Sequence, residues 1–278
     1  MKRIILCVSF LFLALFAHAT GQTGDVIFID GTRWELLGKP IDLDSALYHD
    51  LKAVLPEDRP IVTSNWDGYT AYWSIQQDVL YLDSVRCEYD DAKTKGMKGE
   101  SVPSASLLNV FKNYVDGGCI VASWLTGEIR VATGKRIYYQ HTYFERNYEE
   151  EMMLSIVKGK VIGRKEYHNY IVEGFSFDKI NPVNNEELRE MFPLHIERYP
   201  ELANEERILF GIQRARVDAQ GNLVECEVRV IRPKDNPLLA AEIVESLKAY
   251  HPWRVFFING KCIAKGIEGW TISYPIGK

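Results

Sequence analysis

The stretch RVDAQGNLVECEVRVI, Arg216 to Ile231, decides how the last third of this chain folds. It reads as two strands hinged on a polar, Gly-containing turn, with Val224, Cys226 and Val228 sharing one face of the second strand. A strand around 208–217 leads into the turn, and a short helix-like ELANEER precedes that strand. Downstream, Asn236 can cap a helix whose first position suits Pro237, and Leu239, Ile243, Leu247 and Tyr250 give that helix a buried stripe. The ending GWTISYPI puts Trp270, Ile272, Tyr274 and Ile276 on one face of a last strand. The order αββαβ predicts a small α+β unit over residues 195–278, with its helices on one sheet face.

Residues 20–178 have another rhythm. DVIFIDGTRWELLG turns at Asp30-Gly31 between two apolar runs, a hairpin signal. Leu43, Ala46, Leu47, Leu51 and Val54 then recur at helical spacing, and Pro56 stands just beyond. Tyr69, Ala71, Trp73 and Ile75 alternate as a strand does before QQD turns the chain back. YDDAKTKGMKGESVPS reads as a surface loop and SLLNVFKNYV as a short helix. Strands then follow with breaks at Thr126-Gly127, Thr133-Gly134 and Lys158-Gly159. Turns about every ten residues predict an antiparallel β-rich meander or partial barrel. DKINPVNNEELREMFP ends that pattern, so a linker is expected over 179–194. The expected fold class is α+β in two domains.

Composition and processing signals narrow the function classes. With 46% apolar residues the chain can fill a core, which excludes wholesale disorder. Lys2 and Arg3, the apolar run IILCVSFLFLALFA and the small–x–small AHA at Ala17–Ala19 make residues 1–19 read as a cleavable secretory signal peptide. The run is short of the roughly 20 residues that span a bilayer. Cleavage deletes Lys2 and Arg3 and so makes the formal charge of −5 more negative by two. No stripe of Lys and Arg stands out, which argues against nucleic acid or an anionic membrane as partner. Export permits disulfides, yet Cys87, Cys119, Cys226 and Cys262 are too few for a disulfide scaffold. Cys226 and Cys262 read as buried thiols; for Cys87 and Cys119, free and bridged states both stand.

Tyr199-Pro200 with Ala203 and Ile208, then VDAQGNLVECEV, the helix, Trp253, Asn259–Lys261 and Tyr274–Ile276 together resemble the TonB C-terminal domain family. The resemblance covers residues 195–278 only. It implies periplasmic or outer-membrane exposure and a role in protein contact, since that family's energy transducer captures a receptor segment by strand addition. This chain departs from the transducer in its cleavable leader, in lacking a Pro-rich spacer, and in Arg207 and Phe210 where small residues are expected. Energy transduction is therefore not implied. If the first strand is central, the second and last strands are edges with unpaired N–H and C=O groups. An extended peptide can complete such an edge. Gly269–Tyr274 is the expected edge, with Trp270, Ile272 and Tyr274 as binding residues and Lys265 and Glu268 as charges that discourage unwanted pairing. A second reading of that edge is that it packs on the N-terminal domain.

The sequence carries no linear catalytic motif. The aromatic group Trp66, Tyr69, Tyr72, Trp73 and Tyr81 suits either a core or a carbohydrate platform. Alternation places Tyr69 and Trp73 in the core and leaves Tyr72 as the ligand candidate. Ser155 and Lys158 fit S-x-x-K but sit in a strand, where they point to opposite faces. Asp42–Asp44 reads as a helix start rather than a calcium loop. The scattered histidines imply no metal, and no cofactor is expected. The leading expectation is an exported cell-envelope protein that binds another protein. A carbohydrate-binding protein using the N-terminal domain is the alternative, and a hydrolase with dispersed catalytic residues is third.

Overall fold

The computed structural model describes residues 21–91, 96–177, 185–234, 236–263 and 267–276. The expected signal peptide at residues 1–19 and Lys265 lie outside the described residues, as does part of the expected linker. The protein is a strand-rich α+β molecule with one large sheet. The chain divides into two units between Tyr167 and His168.

The first unit is built from β1 (Asp25–Ile29), β2 (Thr32–Leu36), helix α1 (Ser45–Lys52), β3 (Thr70–Gln76), β4 (Val79–Asp91), β5 (Gly96–Ser101), α2 (Ser104–Val110), β6 (Val115–Asp116), β7 (Cys119–Val121), β8 (Gly127–Tyr139), β9 (Arg146–Val157) and β10 (Lys160–His168). Its sheet runs β10-β9-β8-β2-β1-β3-β4-β7-β6, with β5 also paired to β4. An antiparallel contact of Lys160 with Val79 joins β10 back to β4 and closes a ring of strands. The sheet departs from the expected antiparallel meander: β8 pairs with β2 out of chain order, and one contact is parallel. β1 and β3 run parallel, because the segment between β2 and β3 carries α1 across the core before the chain re-enters the sheet.

Local chemistry explains the joints. Asp30 and Gly31, Gln77 and Asp78, and Lys158 and Gly159 all adopt positive φ, as tight two-residue hairpins require. At Gly159 a side chain is also excluded by space, since a Cβ would lie 2.8 Å from the backbone of Ala122. Asp44 caps α1 by accepting from the amides of Ala46 (3.0 Å) and Leu47 (3.1 Å). Thr133-Gly134 does not end a strand: β8 runs through it with a bulge before Arg136, and Gly134 takes the positive φ. The expected loop around 89–104 instead holds the paired ends of β4 and β5 and the start of α2. Tyr69, Ala71, Trp73 and Ile75 point into the core, joined there by Leu47 and Leu51 of α1 and Leu107 of α2.

The second unit begins earlier than expected. β11 (Tyr170–Val172) pairs with the strand Val255–Ile258, and Phe175 and Phe177 pack around Trp253, so residues 168–177 belong here rather than to the first unit. Then come α3 (Asn185–Met191), two 3-10 turns at Ile196–Arg198 and Pro200–Leu202, β12 (Arg207–Val217), β13 (Leu223–Arg232), α4 (Pro237–Ala249), β14 (Val255–Ile258), β15 (Lys261–Ile263) and β16 (Thr271–Pro275). The helix expected at ELANEER is corrected: it forms only the 3-10 turn Pro200–Leu202 before Arg207 opens β12, and α3 stands instead inside the span expected to be a linker. The helix after β13 forms as read: Asn236 accepts from the Leu239 amide at 3.0 Å and Pro237 fills the first turn.

Two small sheets result, β13-β12-β16 and β11-β14-β15. Ile208, Phe210 and Ile212 of β12, Val230 of β13, and Ile272 and Tyr274 of β16 share a core with Leu188 of α3, Phe192 just beyond it, and Leu239, Ile243 and Leu247 of α4. Burying this face against helices supplies the main driving force at about 25 cal/mol per Å² of apolar surface. Trp253, fully buried, donates its indole N–H to the Leu247 carbonyl at 3.1 Å and satisfies the C-terminal end of α4.

Candidate functional site

β12 is central, and β13 and β16 are the two edges of its sheet. Residue parity along β16 then decides which backbone groups are spoken for. The Ile276 amide donates to the Glu206 carbonyl at 2.9 Å and the Ile212 amide to the Trp270 carbonyl at 3.1 Å. Between these ends the register pairs Ile208 with Tyr274 and Phe210 with Ile272. Bonded pairs alternate with non-bonded ones in an antiparallel ladder, so the even-numbered residues of β16 face β12. The N–H and C=O groups of Thr271 and Ser273, and the C=O of Pro275, therefore face outward. Among the described residues no strand pairs with β16 on that side.

The three residues expected to bind along this edge do not share one environment. Ile272 and Tyr274 are 6% and 3% exposed and face the helices, while Trp270 is 41% exposed at the strand's start. The backbone contact surface thus comes from Thr271 and Ser273, which the side-chain pattern did not single out. Side-chain alternation was readable, but which amides faced a neighbour depended on the register with β12. Glu268 is also placed differently from expectation. Its carboxylate accepts from the Ala215 amide at 2.8 Å, satisfying β12 where β16 has ended.

Tyr72 is half-buried in β3 and occupied. Its hydroxyl donates to Glu88 and the Arg86 guanidinium lies 4.5 Å from its ring centre. Burial, then the bond to Glu88, push its pKa up to about 12. A sugar would have to displace both partners to reach that ring. Tyr69 and Trp73 are fully buried, Trp66 is exposed, and Tyr81 is half-buried.

The first unit also holds a charged network that no linear motif announces. Asp25, fully buried, accepts from the Ala71 amide (3.1 Å), the Trp73 indole (3.0 Å) and Lys39 (2.9 Å). Lys39 also donates to the Tyr69 carbonyl at 2.7 Å, and the Tyr69 hydroxyl donates to Asp42 at 2.5 Å. Desolvation raises the Asp42 carboxyl to about 6 against the opposing bond from Tyr69, with Asp67 and Asp25 adding repulsion. Every buried group here has a partner, as a structural network requires.

All four described cysteines are free. Cys87 is buried and Cys119 exposed, on separate elements of the first unit. Cys226 is half-buried, and burial pushes its thiol up to about 11. Cys262 is exposed, correcting the expectation of a buried thiol: β15 is a three-residue strand at the edge of its sheet among the described residues. Among the described residues no cluster of His, Cys, Asp and Glu is placed to hold a metal ion. No helix among them is long and apolar enough to cross a membrane. No family model, no curated protein and no solved structure matches the chain.

Proposed function

We propose that this is an exported cell-envelope protein that binds another protein by adding an extended segment to the outer edge of β16. The reading is carried by the outward-facing, unpaired backbone groups of exposed Thr271 and half-buried Ser273, on a strand held firmly from its other side; Pro275 at the strand's end is buried. Strand addition draws affinity from such main-chain groups, and neighbouring side chains set selectivity. Trp270, exposed at the start of the strand, is the natural anchor for a partner's apolar residue. The resemblance of residues 195–278 to TonB C-terminal domains supports the same mode of contact, without energy transduction.

The test uses a photo-crosslinking residue at Thr271 in the full-length protein inside cells, paired with Ser273→Pro. Proline at 273 removes an outward amide without touching the ladder to β12. Ile272→Pro would be a poor choice, because its amide belongs to that ladder. The reading predicts a discrete crosslinked partner that disappears in Ser273→Pro while the thermal transition is kept. A crosslink unaffected by Ser273→Pro contradicts it.

A further inference from the structure

We propose that two copies of this chain associate through the outer edges of β13, joined antiparallel about a two-fold axis at Val228. The backbone groups which that edge offers follow from the register. Both the amide and the carbonyl of Ile212 bond toward β16, to Trp270 at 3.1 Å and Gly269 at 2.8 Å, so the neighbouring Gly211 faces β13. Gly211 stands opposite Arg229, which makes Arg229 and Glu227 the residues bonded to β12. The N–H and C=O groups of Cys226, Val228 and Val230 therefore turn outward. Among the described residues no strand pairs with β13 on that side. The irregularities of β13 itself, at Val224 and Ile231, fall outside the run 225–230, so the edge between them is uninterrupted.

The side chains along that run select a second copy as the occupant. Cys226, Val228 and Val230 pack against the core, while Glu227 and Arg229 stand exposed on the reverse face. Glu225 beside them is already engaged, by Arg214 at 3.7 Å and Arg216 at 3.2 Å. Glu227 and Arg229 make no side-chain hydrogen bond or ion pair with the described residues. Opposite charges two residues apart on one strand face are self-complementary when the strand meets its own copy antiparallel.

With Val228 opposite Val228 of the other copy, Cys226 meets Val230 on either side, and these are the bonded pairs that the outward groups require. The pairs between them set Glu227 of each copy against Arg229 of the other. Those positions are non-hydrogen-bonded, where facing Cα atoms come to about 4.5 Å and side chains lie closest. Sliding by one residue would ask for groups already bonded to β12. Sliding by two sets Glu227 against Glu227 in one direction and Arg229 against Arg229 in the other, and like charges directly opposite repel. Main-chain bonds thus hold the two copies while the charges fix their register. The joined sheet runs β16-β12-β13 from each copy, with β16 at both outer ends. A dimer therefore presents the β16 edge twice, and a partner with two segments gains avidity.

Sedimentation equilibrium of the purified protein tests this interface. Wild type should dimerise with a Kd of about 1–100 µM, as suits a small edge contact. Glu227→Arg sets two arginines face to face on each side of the axis, and Arg229→Glu two glutamates. Each variant alone should self-associate at least about tenfold more weakly, with wild-type circular dichroism because both side chains are exposed. An equimolar mixture of the two variants should dimerise again, since each copy then supplies the charge the other lacks. A wild type that stays monomeric up to about 500 µM, single variants that dimerise as wild type does, or a mixture that stays monomeric would each overturn the proposal. Neither substitution lies on β16, so failure here leaves strand addition at that edge standing, and failure there leaves the dimer.

Discussion

Asp42 shows how one residue's surroundings become a property of the molecule. Its carboxyl is held near 6 in the folded protein against 3.8 ordinarily, mainly by desolvation. Between those values the folded state binds the proton more tightly than the unfolded chain does. Its contribution to stability therefore falls as pH rises from about 4 to about 6. Asn at this position can still accept from Tyr69 but carries no charge. Asp42→Asn should thus unfold at a higher temperature than wild type at pH 7, with the gap closing toward pH 4; a gap independent of pH would contradict this. The cysteines give a second residue-scale prediction. A thiol reagent at pH 8 should label Cys119 and Cys262 quickly, and Cys87 and Cys226 slowly, because burial both shields these two and raises their pKa values. Rapid labelling of Cys226 would contradict its placement.

At the scale of elements, local signals were legible and long-range partnerships were not. Asp30-Gly31, Gln77-Asp78 and Lys158-Gly159 announced their turns because few residues tolerate positive φ there. Asn236 and Pro237 announced α4 because a cap acts within one helical turn. Asn236→Ala should cost about 1 kcal/mol, read as a lowered denaturant midpoint; no change would mean the cap bond does not form. Thr133-Gly134 misled because a glycine serves a bulge as readily as a turn. β11 was missed as a partner of β14 because a three-residue strand carries no pattern of its own. His195 and Glu242 lie far apart in sequence, and only the packing of the segment after α3 beside α4 brings them together. Similarly, parity along β16 gave its buried side chains but not its free amides.

For the molecule as a whole, the second unit buries one face of β13-β12-β16 and leaves the reverse face open, where charged side chains stand beside the exposed Ile231. There Arg216 pairs with Glu225 at 3.2 Å and Arg207 with Ser273 at 3.2 Å. Mixed charges on an open face discourage indiscriminate sheet stacking while leaving an edge free for a chosen segment. The core beneath is aromatic: Phe175, Phe177, Phe192 and Tyr250 surround Trp253 at 5.4–5.9 Å between ring centres. Trp253→Ala should cost about 3–5 kcal/mol and so destroy edge presentation together with the fold. A variant that stays as stable as wild type would show that this cluster is not the keystone of the unit.

β16 is bonded on one side and open on the other, and residue-resolved amide exchange measures that directly. The amides of Ile272 and Tyr274 should be protected, while those of Thr271 and Ser273 exchange at least about a hundredfold faster, as for an open edge. Equal protection along all four residues would mean the outer side is already paired, and strand addition at this edge would fall.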